Sequence, residues 1–192
     1  MEVVATPLHS GKKNIYELKE VVNGAQTVNK TTLCLQYTNQ ELIVTFSGTY
    51  NGVPYMPYSG DKELVWKGET VEAFLSPYGS EKEYLELDIA PNGASFFAKI
   101  YNPDGIVAFN RLFNRTPIKV ETTQKESGFE ATMRMPISFL VKEEDVESFK
   151  ELPWKGNFFR LDSHNGEYCA LSPTGVLNFH ITKAFVSIKF EE

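Results

Sequence analysis

The feature that most constrains this chain is a recurring one. Short segments alternate apolar with polar residues, and turn residues separate them. TTLCLQYTN (31–39) and ELIVTFSG (41–48) read as a hairpin about Asn39-Gln40. TVEAFLS (70–76) and EYLELDIA (83–90) are joined by the turn-rich PYGSEK. Pro91-Asn92-Gly93 is a strong turn signal before ASFFAKIY (94–101), and NPDG (102–105) makes another turn. PIKVETT (117–123) and GFEATMRM (128–135) form a further pair, and NFFRLD (157–162), EYCALS (167–172) and AFVSIKF (184–190) complete the set. Helix is confined to a turn or two within ISFLVKEEDVESFK (137–150), after Pro136. About ten strands with almost no helix predict an all-β fold, an antiparallel β-sandwich or barrel. The stretch from Ser47 to Thr70 is rich in Gly, Pro and Tyr. In a sandwich it should cross the surface and carry function.

At 192 residues the chain fits a single domain, 1–192, with a core large enough to need no staples. The net charge is -6, and no Lys/Arg run interrupts the scattered acids. That argues against nucleic acid and anionic membranes as partners. The two cysteines, Cys34 and Cys169, each lie in an apolar run. Two buried thiols fit this better than a buried disulfide, and neither a zinc site nor any other metal site is indicated. The start MEVVATPLHSGKK lacks the apolar centre of a signal peptide. The chain as numbered therefore reads as cytoplasmic, or as secreted if a leader was removed. The oligomeric state is not encoded legibly.

Side chains alternate along strands, so faces can be assigned. Leu85, Leu87 and Ile89 share one face; Tyr84, Glu86 and Asp88 share the other. Val71, Ala73 and Leu75 are the core set of their strand, which turns Glu72 and Phe74 away. Phe159 and Leu161 point one way, with Phe158, Arg160 and Asp162 opposite. If these strands are neighbours, Glu72, Glu86, Asp88 and Arg160 are expected on one face. Trp66 and Phe179 would supply aromatic platforms beside them. A solvated face with Arg160 ion-paired to an acid explains the four polar residues alone. With the aromatics added, the set suits a sugar: C–H faces stack on rings, carboxylates accept from hydroxyls, and a guanidinium donates.

With these residues in view, the sequence resembles carbohydrate-binding modules of family 9 and their DOMON-like relatives. Three stretches carry the resemblance: VWKGETVEAFLSP, EYLELDIAPNGASF, and NFFRLD followed by ALSPTGVLNFHITKAFVSIKF. They span residues 66 to 190 in the family's order. The resemblance implies a DOMON-like, jelly-roll-type sandwich without a catalytic centre. It implies a carbohydrate ligand clamped by two aromatic side chains, at Trp66 and at Phe179, where the best-known binders have tryptophan. It places a strand acid at Glu72, a hydrogen-bonding side chain at Arg160 and polar assistance at Glu86 and Asp88. No cofactor is implied beyond the structural calcium that some members hold away from the sugar, for which no ligands are assigned in this chain.

The alternative reading is an intracellular DOMON-like protein that uses the pocket for another metabolite or a protein partner. A third is a glycoside-active enzyme using Glu72, Glu86 or Asp88 as acid and base. No G-x-S-x-G elbow accompanies the three histidines. His164, in LDSHNGEY, is expected in a solvated turn. His180, in NFH, is expected to hold a nearby loop rather than a ligand. Haem binding would need axial His or Met facing a pocket, whereas Met133 and Met135 read as core. Trp154 reads as a loop-anchoring core residue. Tyr50, Tyr55 and Tyr58 either wall the site or pin the 47–70 stretch.

Overall fold

The computed structural model describes residues 1–59, 64–103, 107, 109–112 and 117–192. Each alternating segment read from the sequence is a strand, because its apolar set has a second sheet to pack against. One layer runs β10 (Lys119–Lys125), β11 (Gly128–Pro136), β5 (Glu41–Thr49), β4 (Thr31–Tyr37), with β2 (Ile15–Glu17) also on β4. The other runs β14 (Val186–Phe190), β12 (Lys155–Asp162), β6 (Thr70–Ser76), β7 (Glu83–Ile89), β8 (Ser95–Tyr101), β9 (Phe109–Leu112). On β12 lies β13 (Glu167–Ala170), which in turn pairs with β3 (Lys19–Glu20). The expected turn at 102–105 lies partly outside the described residues.

The layers are joined by β1 (Glu2–Pro7). Its first half pairs with β14 and its end with β4, parallel in both cases. The fold is thus a sandwich of mixed rather than purely antiparallel strands. The difference arises because the N-terminal strand enters between the two sheets instead of returning through a hairpin.

Facing residues of both layers form the main core: Leu33, Leu35, Val44 and Phe46 from one, Val71, Ala73, Leu75, Leu85, Leu87, Ile89 and Phe158 from the other. Met133 and Met135 are buried in it, as expected of core residues. So is Trp154, whose indole N–H donates to the Phe149 carbonyl at 2.7 Å. Its loop contains the expected short helical elements, α1 (Ile137–Leu140) and two single 3-10 turns. Cys34 and Cys169 are buried and free. The Pro91-Asn92-Gly93 turn closes with Gly93 at φ 90, a left-handed conformation that favours glycine, and the Gly93 N–H donates to Ala90.

The second layer is apolar on its outer face as well. Phe74, Tyr84, Phe96, Ala98 and Phe159 form a second buried cluster there. A sheet buried on both faces needs a cover. The segment between β13 and β14 supplies it.

Candidate functional site

On the outer face of the second layer, cross-strand partners place the side chains in rows. Glu72 lies between Phe159 of β12 and Asp88 of β7, and Asp88 lies next to Phe96 of β8. In the neighbouring row Phe74 stands beside Glu86, and Glu86 beside Ala98. Leu161 and Tyr168 make a third row on β12 and β13. Above these rows opens a cavity of about 520 Å³, lined by Trp66, Glu72, Glu86, Phe96, Val107, Leu161, Tyr168, Leu177, Asn178, Phe179 and His180.

Two aromatic walls flank the cavity floor. Trp66 sits on a 3-10 turn, Val65–Lys67, that leads into β6. Its half-buried indole stands edge-on to Phe96, ring centroids 4.5 Å apart. The other wall is Phe179, stacked on Phe159 at 4.2 Å with planes 12° apart and edged by Tyr168. Phe179 belongs to the covering segment, which is held in several places. Thr174 N–H donates to the Val21 carbonyl, and the Asn157 amide donates to Ser172. Asn102 Nδ2 donates to the His180 carbonyl at 2.7 Å. Tyr84 Oη lies 2.5 Å from His180 Nδ1. His180 therefore both pins the segment and lines the cavity, where the sequence favours the first role over the second.

The floor is acidic and its carboxyl groups are buried. One ligand oxygen from each of Glu72, Glu86 and Asp88 lies within 4.8 Å of the other two. Burial pushes the Glu72 carboxyl well above the usual carboxylate range, and the Glu86 charge adds to it. Burial raises Glu86 to about 7. Asp88 is raised by burial first and then by its two acidic neighbours. His180 is pushed down to about 4 by burial, so its imidazole is neutral at ordinary pH.

Of the six residues expected together, the cavity gathers Trp66, Glu72, Glu86 and Phe179, with Asp88 fully buried beside Glu72 on the same sheet face. Arg160 is not among them. It pairs across β6 with Val71, on the core-facing side, whereas Glu72 pairs with Phe159. Directly paired residues share a face, so Arg160 points away from the cavity. There its Nε donates to Glu69 Oε1 at 2.7 Å, its Nη1 to Thr31 Oγ1 at 3.0 Å and its Nη2 to the Thr49 carbonyl at 3.1 Å. Phe129 and Tyr50 face the guanidinium at 5.1 and 5.6 Å. Gly48 makes room for this cluster: a Cβ there would stand 2.3 Å from the Phe129 ring.

Glu69, Asn178 and the Phe96 edge were not singled out from the sequence. Glu69 lies one residue before its strand and has no alternation to assign it. Tyr50 belongs to the Arg160 cluster, and neither Tyr55 nor Tyr58 lines the cavity. The 50–59 segment is instead tied to the β12–β13 turn. Tyr55 N–H donates to Ser163 Oγ, and Gly52 packs against the ring of exposed His164.

No protein-family model matches the chain. It is 27% identical over 179 residues to an extracellular protein of Arthroderma benhamiae (strain ATCC MYA-4681 / CBS 112371), a match covering 84% of this chain and 78% of that protein. Among solved structures it superposes on a candidate carbohydrate-binding protein from Bacteroides uniformis ATCC 8492 with a TM-score of 0.75, 17% identity and 99% of each chain covered. It also superposes on a family 9 carbohydrate-binding module from Caldicellulosiruptor kristjanssonii. The glucose complex gives a TM-score of 0.61 at 13% identity, covering 100% of this chain and 96% of the module. The cellotriose complex gives 0.63 at 14%, covering 100% and 94%. Identities this low speak to architecture alone. The chain has the β-sandwich fold of the family 9 carbohydrate-binding modules.

Proposed function

We propose that this protein is a non-catalytic carbohydrate-binding module that recognises the end of a mono- or oligosaccharide. The observation that carries this reading is the cavity itself, with aromatic walls at Trp66 and Phe179 over a hydrogen-bonding floor. A pyranose presents apolar C–H faces and a polar equator. The walls suit the first and the floor suits the second. Glu72 and Glu86 accept from, or when protonated donate to, the sugar hydroxyls. Asn178 and His180 add polar groups on the covering segment. Asp88 assists from beside Glu72 on the same face. Arg160 and Glu69 brace the sheet from its core side and do not touch the ligand.

Binding without turnover is the better reading of the three acids. A glycosidase places its two carboxyls on opposite sides of the scissile bond, about 5 to 10 Å apart. Here all three acids stand on one sheet face, one oxygen of each within 4.8 Å of the others, rather than on two sides of a cleft. Similarity to an extracellular protein favours a secreted location over the cytoplasmic one expected from the sequence. Among the described residues no helix is long and apolar enough to cross a membrane.

Tryptophan emission tests the reading. Trp154 is sealed in the core, so a ligand-dependent change reports Trp66. Titration with glucose, xylose, cellobiose and a panel of other glycans is expected to give saturable changes for at least one of them. Binding of unchanged strength in Trp66→Ala, or silence across the panel, counts against it.

A further inference from the structure

The floor of the cavity holds three carboxyl groups that the described residues do not balance. Glu72 of β6 lies directly across from Asp88 of β7, and Glu86 is one pleat along on the same face. All three are buried, Asp88 completely. Among the described residues neither oxygen of Asp88 meets a hydrogen-bond donor. None of the ion pairs formed by the described residues includes any of the three. Arg160, the nearest expected partner by sequence, is committed to Glu69 on the other face of the sheet. Carboxyl groups this close in a buried site need protons or a bound cation between them.

The geometry suits a particular source of that charge. Calcium takes six to eight oxygens at about 2.3–2.6 Å, so oxygens sharing one ion lie no more than about 5.2 Å apart. One oxygen from each acid already meets that limit. The donor set is all oxygen, as a hard cation prefers. Glu72 and Glu86 line the open cavity while Asp88 is buried beside Glu72, which gives an ion a route in and a third, sealed ligand next to the two open ones. Three carboxylates supply between about three and six oxygens, so coordination positions remain on the cavity side.

We infer that Glu72, Glu86 and Asp88 hold a calcium ion on the floor of the cavity, and that two adjacent hydroxyls of the bound sugar complete its coordination. The second half rests on the carbohydrate reading above; the first does not. One dication against three carboxylates leaves a single net negative charge, toward which the hydroxyl dipoles of a sugar point. Selectivity for sugars then favours vicinal diols whose oxygens can reach one ion while a ring face rests on Trp66 or Phe179.

The test uses the whole chain, stripped with EGTA and moved to chelator-free buffer at neutral pH. Calcium chloride is titrated by calorimetry, and terbium chloride by emission on indole excitation, since Trp66 lines the same cavity. The expected result is one saturable ion per chain, with terbium emission lost on adding calcium. Asp88→Asn weakens uptake by at least about tenfold, whereas Glu130→Gln, an exposed acid on β11, leaves it unchanged. In chelator Asp88→Asn is at least as heat-stable as the parent, because one of three repelling acids is gone. That result separates a lost ligand from a damaged fold. Cellobiose, or the best sugar of the panel, is then titrated in calcium and in EGTA, with tighter binding expected in calcium. No calcium uptake, or equal uptake in Asp88→Asn, overturns the site. Calcium uptake with sugar binding identical in EGTA overturns the bridging role. Sugar binding by a chain that takes up no calcium overturns the ion and leaves the carbohydrate reading intact. Calcium uptake with no sugar bound supports the ion site and overturns its completion by a sugar.

Discussion

Arg160 and Glu69 form a fully buried ion pair, Nε to Oε1 at 2.7 Å, on the side of the sheet that faces the core. Every remaining oxygen of Glu69 is used as well, with Oε2 accepting from the Ser163 N–H at 2.9 Å and its hydroxyl at 3.0 Å. The pair thereby ties β12 and its turn to the start of β6 through Glu69, two residues after the turn that carries Trp66.

Removing one partner leaves the other charge buried alone. Arg160→Met is therefore expected to lower unfolding free energy by roughly 3–5 kcal/mol, read by urea titration. Sugar affinity of the folded fraction at low temperature is expected to stay within about twofold, because the residue faces away from the cavity. A large loss of affinity with little loss of stability would return Arg160 to the site.

The clamp predicts a graded response. Trp66→Ala and Phe179→Ala are each expected to weaken sugar binding by roughly tenfold or more, as truncation of aromatic anchors does. Phe179→Trp is expected to strengthen it, since a larger face would still rest on Phe159. Calorimetric titration of the three variants checks the order.

His180 predicts a pH dependence. Burial lowers its imidazole from 6.5 to about 4, so the folded chain refuses a proton that the unfolded chain accepts. Between those values the unfolded state binds more protons. The His180 contribution is complete above about pH 6.5 and is lost as pH falls toward 4. His180→Asn keeps an amide near Nδ1 but does not titrate. Across this range the unfolding free energy of the parent minus that of the variant should rise with pH, by a total approaching roughly 3 kcal/mol. A difference that stays flat with pH contradicts the buried, neutral imidazole.

The thiols predict a chemical contrast. Burial raises both, Cys169 to about 12. Native protein should expose no rapidly reacting Cys169 to a disulfide reagent, while denatured protein should release two thiols per chain without reductant. Fewer than two would reveal an oxidised pair.

Much of this was legible in the sequence, and the omissions have physical causes. β6 and β7 alternate cleanly, so the division of Val71, Ala73 and Leu75 from Glu72 follows from a period of two. Four strands went unread: β2, β3 and β9 are short edge strands with too little alternation to rise above loop, and β1 is a parallel strand between the sheets whose VVATP run carries no period of two. Arg160 was grouped correctly with Phe158 and Asp162 on its own strand but matched to the wrong face of β6. Matching faces requires the register between strands, which the sequence does not carry, and a slip of one residue inverts it. The Phe158-Phe159 pair conceals the error, because both faces of β12 are apolar at that point. Trp66 and Phe179 lie more than a hundred residues apart in the chain, and the resemblance rather than periodicity paired them.

The most direct measurement is a crystal structure of the chain grown with the best-binding sugar of the panel. The account predicts a sugar ring between the Trp66 indole and Phe179, with hydroxyls directed at Glu72 and Glu86. Density for the sugar elsewhere on the protein, with the cavity unchanged, would contradict it.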